Sequence, residues 1–111
     1  MPLTHKDIDD RSLAMHQVIA KKLRRRPLLL SKAKATLAHW RRNADESTRT
    51  YDEEWARALD GGLDATLRLA LGRSQRAVAL RQCSPFAGIL TPKERNAFLR
   101  AWKRSHASTR P

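Results

Sequence analysis

Six large residues recur at intervals of four, Tyr51, Trp55, Leu59, Leu63, Leu67 and Leu71, with Ala58, Thr66 and Ala70 beside them. A strand turns successive side chains to opposite faces, so this spacing commits the middle of the chain to helix. The stripe passes through Gly61-Gly62 without losing phase. Two glycines inside a helix cost about 2 kcal/mol relative to alanine. The kept phase favours one continuous helix over two broken at the pair.

Other segments carry the same period. Thr4 followed by Asp7 reads as an N-terminal cap, with Leu3 placed to staple onto Ile8. Ile8, Met15, Ile19 and Leu23 form a face, and Lys21 to Arg26 put cations at the end where the helix dipole favours them. Pro27 stops that helix and suits the first turn of the next. The second helix shows Leu30, Ala33, Leu37 and Trp40 on one side and closes at Arg41-Arg42-Asn43. Residues 44–49 read as a polar loop, and Thr50-Tyr51-Asp52-Glu53 as a capping box for the third helix. Gly72 ends that helix and Ser74 caps a short one from Gln75 to about Gln82. Thr91-Pro92-Lys93-Glu94 combines a cap, an N1 proline and an N3 glutamate ahead of Phe98, Leu99 and Trp102. With no alternating segment and no repeat, the expected fold is all-α, a compact bundle of about five helices with short connections. A chain of 111 residues supports one domain, read as 1–104 with a flexible basic tail at 105–111.

Composition narrows the chemistry. One cysteine, Cys83, excludes an internal disulfide and a multi-thiolate zinc site. His5, His16, His39 and His106 are dispersed, there is no glycine-rich phosphate loop, and no metal or other cofactor is expected. No apolar run approaches the roughly 20 residues that span a bilayer, and the N-terminus lacks an apolar signal core, so the chain reads as cytoplasmic, without membrane.

The net charge is +12 and it is segregated. Residues 1–43 hold 11 cations and 3 acids, residues 44–64 hold 2 and 7, and residues 65–111 hold 10 and 1. Three clusters are candidates for nucleic-acid binding. They are Lys21, Lys22, Arg24, Arg25 and Arg26; Arg73, Arg76 and Arg81; and Lys93, Arg100, Lys103 and Arg104. The partner is then DNA or RNA, with an acidic protein as the alternative. Trp40, Trp55 and Trp102 sit in phase with apolar faces and read as core anchors, not base-stacking platforms. Helices near 75–82 and 91–104 have the order of a helix-turn-helix, but the connection exceeds the 3–4 residues usual for that motif. In the irregular segment 84–90, Phe86 and Ile89 can close the core or offer a patch to a partner protein.

Arg11 and His16 stand with four residues between them on the first helix, and Arg100 and His106 with five between them on the last. The first pair resembles the short motif of the HEPN ribonucleases, helical bundles that work as homodimers. That resemblance implies a metal-independent ribonuclease in which His16 assists an attacking 2′-hydroxyl and Arg11 stabilises phosphate charge. The residues alone allow Arg11 to be a surface partner of Asp7. A broader resemblance is carried by the stretches Asp9-Asp10-Arg11-Ser12-Leu13-Ala14-Met15-His16 and Ser84-Pro85-Phe86-Ala87-Gly88-Ile89-Leu90-Thr91-Pro92-Lys93-Glu94-Arg95. They look like small, mostly uncharacterised bacterial all-helical proteins of toxin–antitoxin or defence operons. This implies a non-enzymatic binding protein with an operon-encoded partner, contacting nucleic acid as well.

Overall fold

A computed structural model describes residues 4–43 and 46–107. Six helices follow in order: α1 (His5–Arg25), α2 (Leu30–Asn43), α3 (Glu46–Asp60), α4 (Leu63–Ala70), α5 (Gln75–Arg81) and α6 (Pro92–Ala107). There is no strand among the described residues, so the all-α bundle stands.

α1 starts where its sequence says it should. Thr4 Oγ1 accepts from the Asp7 N–H, and the Thr4 N–H donates to Asp7 Oδ2, both at 3.1 Å. Leu3, the expected staple, lies outside the described residues. Arg26 leaves helical geometry at φ −133° and ψ 72°, as the residue ahead of Pro27 must. Pro27–Leu29 then forms a 3-10 turn that leads into α2.

Two helix boundaries differ from expectation. α3 begins at Glu46, so Thr50 lies inside a helix and caps nothing. The chain also breaks at the glycine pair, ending α3 at Asp60 and starting α4 at Leu63. Gly62 adopts φ +101°, a conformation closed to most side chains. Thr66 Oγ1 bridges the break, at 3.0 Å from Ala58 O and 2.8 Å from Gly62 O. The apolar stripe survives the break: Trp55, Leu59 and Leu67 are all buried.

α1 packs on α4 and α5, α2 on α3, α3 on α4, and α4 on α5. Ile19, Ala20 and Leu23 of α1, Ala33 and Leu37 of α2, and Trp55 and Leu59 of α3 share one core. Trp55 is fully enclosed, donates from Nε1 to Leu80 O at 3.0 Å, and meets the Phe86 ring edge-on. Trp40 packs half-buried at its margin.

The segment after α5 closes this core. Pro85, Phe86, Ile89 and Leu90 are buried, with a turn held by the Ile89 N–H on Phe86 O and by Gly88 at φ +86°. Phe86 and Ile89 are only 3% and 2% exposed, which corrects their reading as a partner patch. An apolar pair so enclosed has no surface left to offer.

α6 is attached differently. Thr91 and Glu94 form the expected box, at 3.1 and 2.8 Å. Yet none of its side chains from Pro92 to His106 is buried, Phe98, Leu99 and Trp102 being half-buried. Phe98, Trp102 and His106 stack in a ladder along it. The helix runs on through Ser105–Ala107, the first part of the expected tail, and the rest of it, residues 108–111, lies outside the described residues.

Candidate functional site

The clearest concavity is a cleft of about 490 Å³ between the N-terminal half of α1, the 81–90 segment and the start of α6. Ile8, Met15, Ile19, Phe86 and Leu90 give it apolar walls. Arg11, Arg81 and Arg95 bring three guanidiniums, and Asp9 is the carboxylate among the lining residues. The stretches 9–16 and 84–95, far apart in sequence, thus converge on one site. Ile8, at the start of the α1 apolar face, lines this cleft outside the core and remains 41% exposed, whereas Met15 touches both.

His16 joins the two sides. Its ring, 5% exposed, lies 2.7 Å through Nδ1 from Ser12 O and 2.8 Å through Nε2 from Ser84 Oγ. A carbonyl only accepts, so Nδ1 carries the proton and Nε2 accepts from the Ser84 hydroxyl. Burial pushes the His16 pKa down, the Ser12 carbonyl opposes this, and the charge of Arg81 adds to the lowering. The imidazole is therefore neutral at pH 7.

Arg81 is a residue whose role the sequence hid. It is 5% exposed, and its NH1 donates to Ala70 O and Gly72 O, the carbonyls freed where α4 ends. Burial lowers its pKa, with Asp9 opposing. It is therefore removed from the exposed clusters: its NH1 is spent on helix-end carbonyls and it lines the cleft instead of the outer surface.

Two more expected cations are engaged. Arg76 pairs with Glu54 at 2.8 Å and lies over the Tyr51 ring. Lys22 Nζ pairs with Glu94 Oε1, the oxygen that also caps α6. Lys21, Arg24, Arg25, Arg26, Arg73, Lys93, Arg100, Lys103 and Arg104 are exposed.

The Lys22–Glu94 pair sets the arrangement of these charges. It fixes the C-terminal end of α1 against the N-terminal end of α6, where Lys93 precedes Glu94. Arg24 also shares a shallow depression with Arg68 of α4, beside Leu67, Leu71 and Asp64. Arg100, Lys103 and Arg104 lie farther along α6, up to about 18 Å from its start at 1.5 Å per residue. Arg73 and Arg76 sit at the α4–α5 turn, beside α3 instead. The first and third clusters are thus linked through one ion pair, while in the second Arg76 is paired on α3 and Arg81 is buried.

Arg11 is half-buried on the cleft, and its expected ion pair with Asp7 is not formed. Asp7 is committed to Thr4, and the i,i+4 pair that does form is Lys6–Asp10, at 2.8 Å. Arg11 and His16 therefore do share a site. In the second Arg–His pair, Arg100 is exposed while His106 stacks on Trp102 and bonds Trp102 O at 2.9 Å through Nδ1. The Cys83 thiol packs on Ala79 O and Leu80 O, and burial followed by the charge of Asp52 pushes its pKa up. Among the described residues, no group of three or more His, Cys, Asp and Glu is placed to hold a metal ion. No helix among them is long and apolar enough to cross a membrane.

Compared with known proteins, the chain matches no family model, no curated protein and no solved structure.

Proposed function

We propose that this chain is a small basic, non-enzymatic binding protein of a bacterial two-gene operon of toxin–antitoxin or defence type, which engages a partner protein and nucleic acid. The observation that carries the nucleic-acid half is the Lys22–Glu94 ion pair. By tying the C-terminal part of α1 to the start of α6 it joins the segment carrying the exposed Lys21, Arg24, Arg25 and Arg26 to the segment carrying the exposed Lys93. Exposed cations so grouped displace counterions from a phosphate backbone, giving affinity that falls steeply with salt.

The test is duplex binding across a salt series, for DNA and for RNA. Replacing Arg24, Arg25 and Arg26 by alanine together should lower the magnitude of the DNA salt slope by about 2–3, because each phosphate contact contributes about 0.9. An unchanged slope removes this end from the interface.

The placement of Arg11 and His16 on one cleft supports a second reading, a metal-independent HEPN-like ribonuclease. Against it, both ring nitrogens of His16 are already hydrogen-bonded and the ring is buried. His16→Ala separates the two readings: a nuclease loses cleavage in EDTA, whereas a binder keeps its affinity and never cleaved.

A further inference from the structure

The cleft beside His16 has features that the basic end does not explain. Its lining carries Arg11, Arg81 and Arg95 against Asp9, a formal +2 with His16 neutral. Arg81 is held in place by its NH1 bonds to Ala70 O and Gly72 O. A guanidinium has five N–H donors, and these two bonds leave the three on Nε and NH2 without a hydrogen bond among the described residues. Arg81 is 5% exposed as a residue and lines the cleft, and its unpaired donors are not sealed from solvent. Arg11 and Arg95 likewise make no ion pair among the described residues. Three guanidiniums around an apolar-walled cavity, one of them buried and pre-positioned, form a site waiting for an anion.

We propose that this cleft binds a phosphate monoester on an organic body of nucleotide size, with Arg11, Arg81 and Arg95 holding the phosphate and Ile8 and Met15 lining the space for the body. A phosphate monoester carries close to two negative charges at neutral pH, matching the formal +2, whereas a carboxylate or a backbone phosphodiester offers one. Bidentate acceptance from guanidiniums suits its oxygens. The volume of about 490 Å³ lies within the range of small-molecule sites. The apolar walls suit the face of a base. A free nucleotide and the phosphorylated end of a nucleic-acid strand present the same group.

Calorimetric titration with adenosine 5′-monophosphate, adenosine and benzoate tests this. Saturable binding of the monophosphate alone is expected. Arg11→Gln combined with Arg95→Gln should weaken it at least tenfold without changing the melting temperature. A 5′-phosphorylated trinucleotide, with and without its phosphate, identifies the source. Tighter binding of the phosphorylated form than of the mononucleotide indicates a strand end, and the reverse indicates a free nucleotide; either supports the site. No saturable binding of the monophosphate, equal binding of adenosine or benzoate, or an unaffected double variant overturns it. The duplex titration uses other ligands and other variants, so either proposal can fail alone.

Discussion

His16 and Ser84, 68 positions apart, meet at 2.8 Å and pin the 84–90 segment to α1. Burial of the imidazole between Ser12 and Ser84 favours its uncharged form and holds its pKa below the ordinary 6.5. Unfolded chains bind this proton more readily than folded ones. Stability from this site is therefore complete above pH 6.5 and declines as pH falls from there through the lowered folded pKa. Thermal melts between pH 5 and 8 should show that decline, and His16→Gln should flatten it. A variant with the same pH slope as the parent would contradict the assignment.

Glu94 adds a second loss of stability towards acid, at lower pH. The Lys22 ammonium and the Thr91 N–H together hold its carboxyl down to about 2, from 4.5. A lowered carboxylate pKa contributes stability above pH 4.5 that disappears as pH falls towards 2. Glu94→Gln should remove this part of the acid transition. Because the same oxygen anchors α6, the variant should also expose Trp102, read as a red-shifted emission in that helix at neutral pH. Fluorescence identical to the parent would show that α6 does not depend on the pair.

What could be read from residues alone followed short-range physics. The caps at Thr4, Ser74 and Thr91 each need only a hydroxyl and a backbone N–H three residues on, and all three form. The apolar stripe through Trp55 and Leu67 was legible for the same reason, since helical period is local. Roles set by distant partners were not. Arg76 and Arg81 look alike in sequence, yet one pairs with Glu54 and the other is enclosed against Ala70 and Gly72. The cleft depends on α1 meeting a segment some 70 positions later, and no local pattern encodes that meeting. An arginine placed in the apolar-rich stretch from Ala77 to Leu90 was the one available hint for Arg81.

The glycine pair shows how a kept phase can mislead. Hydrophobic period reports which face is buried, and it stays silent on whether the backbone between is helical. Gly62 has open space where a Cβ would go, so crowding is no obstacle to alanine there. Its φ of +101° is the obstacle. Gly62→Ala should therefore destabilise by roughly 1–2 kcal/mol through backbone strain. A stabilised variant, in chemical denaturation, would mean that α3 and α4 can join into one helix.

Arg73 and Arg81 provide a matched contrast of surface and interior. Arg73 is exposed, and its replacement by methionine should change stability by no more than about 0.5 kcal/mol. Arg81→Met keeps much of the side-chain bulk but removes the donor to Ala70 O and Gly72 O. Hydrogen bonds from a charged group contribute roughly 1.5–3 kcal/mol each, and the orphaned carbonyls add a desolvation cost. Removal of the guanidinium also relieves its own burial, which offsets part of that loss. A net destabilisation of about 2–4 kcal/mol is expected, measured by urea denaturation at pH 7. Equal effects at the two positions would show that Arg81 does not hold the end of α4.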